Sequence, residues 1–146
     1  MRLDEIKATP YPYNINFTKM GTATSVVGDF TADDGSEIVI ELYIASDKSS
    51  ILSFDRDGEI EMTHTGGQFK ILFTILDFIK QVLPKVVNKG LITELEFSAD
   101  SAEPSRVKLY RNRLSPVISQ ILGSEWTGPS IKQDFSGETF SWTKNS

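Results

Sequence analysis

The sequence contains no cysteine and a single histidine, His64. The lack of cysteine excludes a disulfide framework, a thiolate metal site and a cysteine nucleophile. Long apolar runs are also missing, since no stretch reaches the roughly 18 apolar residues that a membrane span needs. Residues 1–5 lack the apolar core of a signal peptide. We therefore expect a cytoplasmic protein with no membrane partner.

Basic residues are in the minority. The chain has 15 Lys and Arg against 20 Asp and Glu, which gives a net charge of −5. This balance disfavours non-specific nucleic-acid binding, because such binding depends on neutralising phosphates. The exception is a basic cluster on the second predicted helix, made of Arg106, Lys108, Arg111 and Arg113. It would suit a phosphate, an acidic partner or RNA, although a solvated helix face is the simpler explanation.

A chain of 146 residues is long enough for one domain with its own core, and we assign residues 1–146 to a single domain. Residues 1–12 are polar, contain two prolines and predict an N-terminal arm. Period-two alternation and turn residues then predict an antiparallel meander. Its strands are predicted at 13–17, 22–31, 37–45, 51–54 and 59–63.

Residues 69–83 predict a central helix. The polar residues Lys70, Thr74, Asp77 and Gln81 form one narrow stripe at helical spacing, and almost every other side chain is apolar. A helix with this pattern is covered on most sides, so we expect it to lie against a sheet. Pro84 is predicted to end or kink it.

Residues 91–97 predict a strand with one buried face. Leu95 and Phe97 point one way, and Glu94 and Glu96 point the other way. A strand that follows such a helix commonly pairs in parallel with the strand before the helix, which makes a βαβ unit. We predict that its parallel neighbour is the strand at 59–63.

The rest of the chain predicts a second helix that Pro116 kinks or breaks, a loop at 123–130 and a terminal hairpin at 135–142. We place the turn of that hairpin at Gly137 and Glu138. The complete order of elements predicts an α+β fold with a mixed, mostly antiparallel sheet and a central βαβ unit.

This order resembles the C-terminal two-thirds of the GNAT family of N-acetyltransferases. In that family a strand, a helix that begins at a glycine-rich loop, a second strand and a second helix enclose acyl-CoA. Residues 105–110, Ser-Arg-Val-Lys-Leu-Tyr, resemble the Ala-x-x-Leu-Tyr segment of the family's second helix. Together with residues 97–100, Phe-Ser-Ala-Asp, they are also similar to a signature of small bacteriophage proteins. The resemblance implies a GNAT-like fold with reduced N-terminal helices.

The resemblance also implies a site for acetyl-CoA. Tyr110 would be the general acid that protonates the departing thiolate, and Glu61 or His64 would accept a proton from an amine acceptor. The backbone amides near the start of the central helix would hold the cofactor's phosphates. The residues in that position are Gly66, Gly67 and Gln68.

These residues have structural explanations as well. Tyr110 suits a buried helical face, and the glycine pair suits a tight turn. Carboxylates such as Glu59, Glu61, Glu94 and Glu96 are typical of the solvated face of a strand.

The glycine loop differs from the family pattern, and this difference decides our expectation of function. The family places its glycines after an Arg or Gln, whereas residues 65–71, Thr-Gly-Gly-Gln-Phe-Lys-Ile, place them before it. Bulky side chains after Gln68 would hinder the close approach that a pyrophosphate needs. We therefore expect a phage-type, GNAT-like protein without catalysis.

Such a protein would serve as a binding, assembly or host-interaction module in the host cytoplasm, with a host or phage protein as its partner. The alternative is an acyl-CoA-dependent N-acetyltransferase that acts on an amine. The exposed edges of a small open sheet would also allow self-association.

Overall fold

The computed structural model describes residues 10–33, 35, 37–56, 67–100, 110–134 and 137–145. No helix among these residues is both long and apolar enough to cross a membrane. The strands are β1 (Asn14–Met20), β2 (Ala23–Thr31), β3 (Glu37–Ile44), β4 (Ser49–Arg56), β5 (Glu94–Asp100), β6 (Trp126–Asp134) and β7 (Gly137–Lys144). The helices are α1 (Gly67–Asn88), a π-helical turn (Tyr110–Leu114) and α2 (Ser115–Leu122).

The described strands form one seven-stranded sheet in the order β1-β2-β3-β4-β5-β7-β6. Every neighbouring pair is antiparallel except β4 and β5, which are parallel and are joined by α1. The predicted fold class is therefore confirmed: α+β, with a mixed, mostly antiparallel sheet and a central βαβ unit. No helix lies before α1 among residues 10–33, 35 and 37–56, which agrees with the expected reduction of N-terminal helices.

The apolar pattern of α1 is used as predicted, since the helix lies against the middle of the sheet. Phe78 and Val82 share a small apolar space with Leu52 and Leu95. Phe78 is only 1% exposed. Burying a side chain of this size contributes roughly 1.5–3 kcal/mol, so the contacts of α1 are a major part of the core.

The helix α2 covers the other half of the same sheet face. The indole Nε1 of Trp142 on β7 donates a hydrogen bond to Ser119 Oγ on α2 at 3.0 Å. Trp142 is in register with Leu95 on β5, whose side chain faces α1. Both helices therefore lie on one face of the sheet, and they contact each other there.

Residues 10–12, the described part of the predicted arm, pack onto the core. The backbone N–H of Tyr11 donates to Thr74 Oγ1 on α1 at 2.9 Å, and the Tyr11 ring stacks on Phe30 with centroids 5.3 Å apart. Next along the chain, the hydroxyl of Tyr13 donates to Asp77 Oδ2 on α1 at 2.6 Å. Thr74 and Asp77, two residues of the polar stripe on α1, thus bind Tyr11 and Tyr13 near the start of the described chain.

The opposite face of the sheet is open in the described part of the protein. Val39 on β3 and Ile51 on β4 point to this face and are 40% and 49% exposed. Strand alternation and register place several carboxylates on the same side. They are Asp29, Glu37, Glu41, Glu94 and Glu96.

Two local predictions about the helices have different outcomes. Pro84 was predicted to end or kink α1, and α1 does not end there, because the helix continues through Pro84 to Asn88. Leu83 and Val86 are buried on either side, so packing outweighs the backbone bond that proline removes. Near Pro116, where a kink or a break was predicted, the π-helical turn passes directly into α2 at Ser115, and proline is tolerated in this first turn.

The C-terminal prediction was wrong in two places. Residues 126–134 form the edge strand β6, although 123–130 was predicted as loop. The strand tolerates Gly128 and Pro129 because it lies at the sheet edge and its register shifts between Thr127 and Ser130. Gly137 and Glu138 were predicted as a hairpin turn, but they belong to strand β7, and Gly137 pairs with Asp134.

Candidate functional site

The parallel pair of central strands separates along its length. In the described residues the ladder between β4 and β5 consists of four pairs, from Ser49↔Glu94 to Leu52↔Phe97. Beyond these four pairs, β4 remains paired with β3 as far as residue 56, and β5 remains paired with β7 as far as residue 100. The two strands therefore stop pairing with each other toward their C-terminal ends, and we call this unpaired part of the sheet the β4–β5 gap.

The closed end of the gap is fastened by several hydrogen bonds. The backbone N–H of Thr93 donates to the carbonyl of Lys48 at 2.8 Å. The hydroxyl of Ser50 donates to the carbonyl of Glu94 at 2.6 Å, and Ser50 is buried. These hydrogen bonds join β4 and β5 at one end, whereas no β4–β5 pair follows Leu52↔Phe97 among the described residues.

The described N-terminal ends of the helical segments that follow these strands lie at the open end of the gap. Because α1 connects two parallel strands, it runs opposite to them and starts near the C-terminal end of β4. Its last turn returns to the closed end, where the N–H of Leu91 donates to the carbonyl of Val86. Free N–H groups at a helix start carry a partial positive charge that favours anions.

The π-helical turn is tied to the same end by an ion pair. Arg111 Nη2 donates to both carboxylate oxygens of Glu138 on β7. Glu138 is in register with Ala99 near the end of β5. The Glu138 side chain is 7% exposed and that of Arg111 is 44% exposed. The hydrogen bond from Arg111 holds the pKa of Glu138 below its usual value, although burial acts in the opposite direction.

The sequence-predicted site residues fall into two groups. Glu61, His64 and Gly66 lie outside the described residues, as does the strand predicted at 59–63. The parallel neighbour of β5 is instead β4, which comes earlier in the chain. Gly67 and Gln68 form the first turn of α1, and Tyr110 begins the π-helical turn. The backbones of these three residues lie at the open end of the gap, and both the shared site and their roles stay predictions.

Other predictions about polar residues can be judged directly. Glu94 and Glu96 are exposed on the open face of the sheet, which agrees with the solvated-strand interpretation. Within the described ranges, no group of three or more His, Cys, Asp or Glu side chains could hold a metal ion.

Glu138 was missed as a buried carboxylate, and Arg111 was assigned only to a basic helix face. The signal was present, because Glu138 alternates with Phe140 and Trp142, which are both buried. A carboxylate on that face needs a cationic partner.

Two solved acetyltransferase structures are similar to this chain. One is a candidate phosphinothricin N-acetyltransferase, with 10% identity, coverage of 86% of this chain and 70% of that chain, and a TM-score of 0.35. The other is the acetyltransferase of the GNAT family from Streptococcus pneumoniae, with 10% identity, coverage of 86% and 68%, and a TM-score of 0.36. No protein-family model matches the sequence, and no curated protein is significantly similar to it. Likeness at this level establishes neither an activity nor a substrate.

Proposed function

We propose that this protein is an acyl-CoA-dependent N-acyltransferase, with the β4–β5 gap as the binding site for the acyl-pantetheine arm. The observation that carries the proposal is the short parallel ladder, which ends after four pairs while both strands continue. This proposal reverses the preference for a non-catalytic module that the glycine loop suggested.

The gap has the chemistry that a pantetheine arm needs. Where two strands part, the backbone N–H and C=O groups on their facing edges lose each other as partners and favour another partner. An extended ligand with amide groups can pair with such edges as an added strand would. Pantetheine is a narrow chain with two amides, so it matches a gap of this kind better than a bulky ligand does.

The start of α1 is placed to hold the phosphates of the same ligand. The objection from sequence was that the side chains after Gln68 would cover the helix start. Lys70 Nζ lies 4.3 Å from the centroid of the Tyr11 ring, and Ile71 packs against the core. Both side chains are engaged elsewhere in the protein, which weakens that objection. An anion is favoured at this helix start because its N–H groups have no partner within the helix.

The proposed residue roles follow the resemblance. Tyr110 would donate a proton to the CoA thiolate as it leaves, and Glu61 or His64 would accept one from the amine. Gly66, Gly67 and Gln68 would surround the phosphates. The ion pair between Arg111 and Glu138 supports this assignment, since it ties the turn that begins at Tyr110 to β7 beside β5.

A second candidate function is the phage-encoded binding, assembly or host-interaction module. The observation that favours it is the open sheet face with its exposed Val39 and Ile51. A module of this kind would bind a host or phage protein there and would transfer no acyl group.

Thermal unfolding with acetyl-CoA and CoA tests the proposal. A ligand at about 100 times its dissociation constant stabilises the folded protein by about 2.7 kcal/mol. For a chain of this size that corresponds to roughly 5–10 °C in melting temperature. We expect a saturable shift with both ligands, and acetyl transfer to amines that Tyr110→Phe abolishes and the matched variant Tyr43→Phe retains.

The two functions give different results in this experiment. No shift with either ligand would contradict the acyltransferase proposal and favour the binding module. A shift without any acetyl transfer would support acyl-CoA binding and would contradict the catalytic role of Tyr110.

A further inference from the structure

The edge strand β1 borders an apolar groove that is separate from the β4–β5 gap. β1 pairs only with β2, so its outer edge is free among the described strands. Between β1 and the C-terminal half of α1 lies a cavity of about 200 Å³, which we call the β1 groove. Its apolar lining consists of Ile15, Phe17, Val82, Val86 and Leu91.

The groove presents large apolar side chains to solvent. Phe17 is 68% exposed and Leu91 is 43% exposed, which places them among the most exposed apolar residues that the structure describes. An apolar surface with a polar rim typically marks a site of interaction. The free edge of β1 adds unpaired backbone groups beside this surface, and such an edge is a template for another strand.

The rim of the groove is basic. Lys85 and Lys89 line it one helical turn apart, and the lining contains no Asp or Glu. Lys19 lies on the same face of β1 as Ile15 and Phe17, two residues beyond Phe17. This basic rim stands out on a chain with a net charge of −5, so it favours an acidic partner.

We propose that an extended acidic segment of a partner protein adds to β1 as a strand and fills the β1 groove. Its side chains facing α1 would alternate as acidic-x-acidic-x-apolar. The spacing supports this pattern, because residues four apart on a helix are separated by about 6 Å and residues two apart on a strand by about 6.6 Å. Two carboxylates on one strand face therefore match Lys85 and Lys89, and the apolar residue then covers Phe17.

This inference is independent of the acyltransferase proposal. β1 is separated from β4 by two strands, and no residue of the groove belongs to the β4–β5 gap. A protein that failed to bind acetyl-CoA would still present the same groove.

Binding of a synthetic peptide to the whole protein tests the inference. The probe is a fluorescein-labelled peptide Thr-Glu-Thr-Glu-Thr-Leu-Thr, and the reversed-charge peptide replaces both Glu by Lys. We expect anisotropy to show saturable binding of the Glu peptide that weakens as salt is raised. The double variant Lys85→Glu/Lys89→Glu should bind the Glu peptide about tenfold more weakly or worse and should bind the Lys peptide better than the wild type does. Both lysines are exposed, so the variant should fold.

A matched control makes the same charge change at the other edge of the sheet. Lys132→Glu/Lys144→Glu carries two exposed reversals on β6 and β7 and should bind the Glu peptide as the wild type does. Equal loss in both double variants, or no saturable binding of the Glu peptide to the wild type, would overturn the inference. Amide chemical shifts that change at β6 rather than at β1, or a dimer that occupies β1, would also overturn it.

Discussion

Replacing Gly28 by alanine tests how closely α1 lies on the sheet. A Cβ atom built on Gly28 in β2 would lie 2.7 Å from Cδ2 and 2.9 Å from Cε2 of Phe78. The Phe78 ring is buried in the core, and the apolar space beside it measures only about 10 Å³. Overpacking of this kind costs about 1–3 kcal/mol, whereas the entropic benefit of replacing glycine is about 0.4–1 kcal/mol. The cost of the clash should exceed the entropic benefit, so the melting temperature of Gly28→Ala should fall by several degrees.

Urea unfolding of a double-mutant cycle identifies the cause. Phe78→Val removes both clashing atoms, so Gly28→Ala should be neutral or slightly stabilising in that background. Ser53→Ala, at an exposed position on β4, is the control and should change the free energy of unfolding by less than about 0.5 kcal/mol. An unchanged stability of Gly28→Ala, or a cost that persists beside Phe78→Val, would refute the close approach of α1.

Three further predictions concern single residues. Burial and the hydrogen bond to Asp77 raise the pKa of Tyr13. The neutral phenol therefore stabilises the folded protein fully below about pH 10, and this stabilisation is lost as the pH rises further. In urea unfolding, the free energy of unfolding should fall more steeply at alkaline pH for the wild type than for Tyr13→Phe. The hydrogen bond from Arg111 lowers the pKa of Glu138, so the ionised carboxylate stabilises the folded protein above about pH 4.3 and this stabilisation is lost as the pH falls. Glu138→Gln should therefore make the free energy of unfolding less dependent on pH in the acid range. Pro84→Ala should raise the free energy of unfolding by up to about 3 kcal/mol, because α1 is already helical at this position. A lower melting temperature would show instead that packing of the proline ring outweighs the restored backbone hydrogen bond.

The sequence predicted the architecture best where one face of an element is buried. The alternation of Leu95 and Phe97 with exposed glutamates identified β5, and the apolar pattern of 69–83 identified α1. Such patterns reflect which face of an element is buried, so they predict the element in any fold that buries that face. From them, the chain order and the pairing rules predicted a central βαβ unit, although the parallel neighbour of β5 is β4 and not the strand predicted at 59–63.

The errors came from residues whose local preference is overruled by tertiary structure. Residues 123–130 were predicted as loop, but an edge strand needs only one side of its backbone for pairing and can accept Pro129. Pro84 suggested a helix end, but buried neighbours on both sides keep the helix continuous. Glu138 was placed in a turn because glycine precedes it, although its alternation with buried aromatic residues indicated a strand.

The candidate site was harder to predict than the fold. The β4–β5 gap depends on where a ladder between two strands stops, and no local pattern in either strand encodes that point. The ion pair of Arg111 and Glu138 joins residues 27 positions apart, so it follows from topology rather than from spacing. Resemblance singled out Gly67 and Tyr110 through the order of elements, and their roles in a site stay predictions.

Amide hydrogen exchange with and without CoA measures the central claim most directly. If CoA lies in the β4–β5 gap, exchange should slow at residues 53–56 and 98–100, which lie beyond the parallel ladder, and should stay unchanged along β1 and β6. Protection confined to the edge strands, or none at residues 53–56 and 98–100 under saturating CoA, would contradict the account.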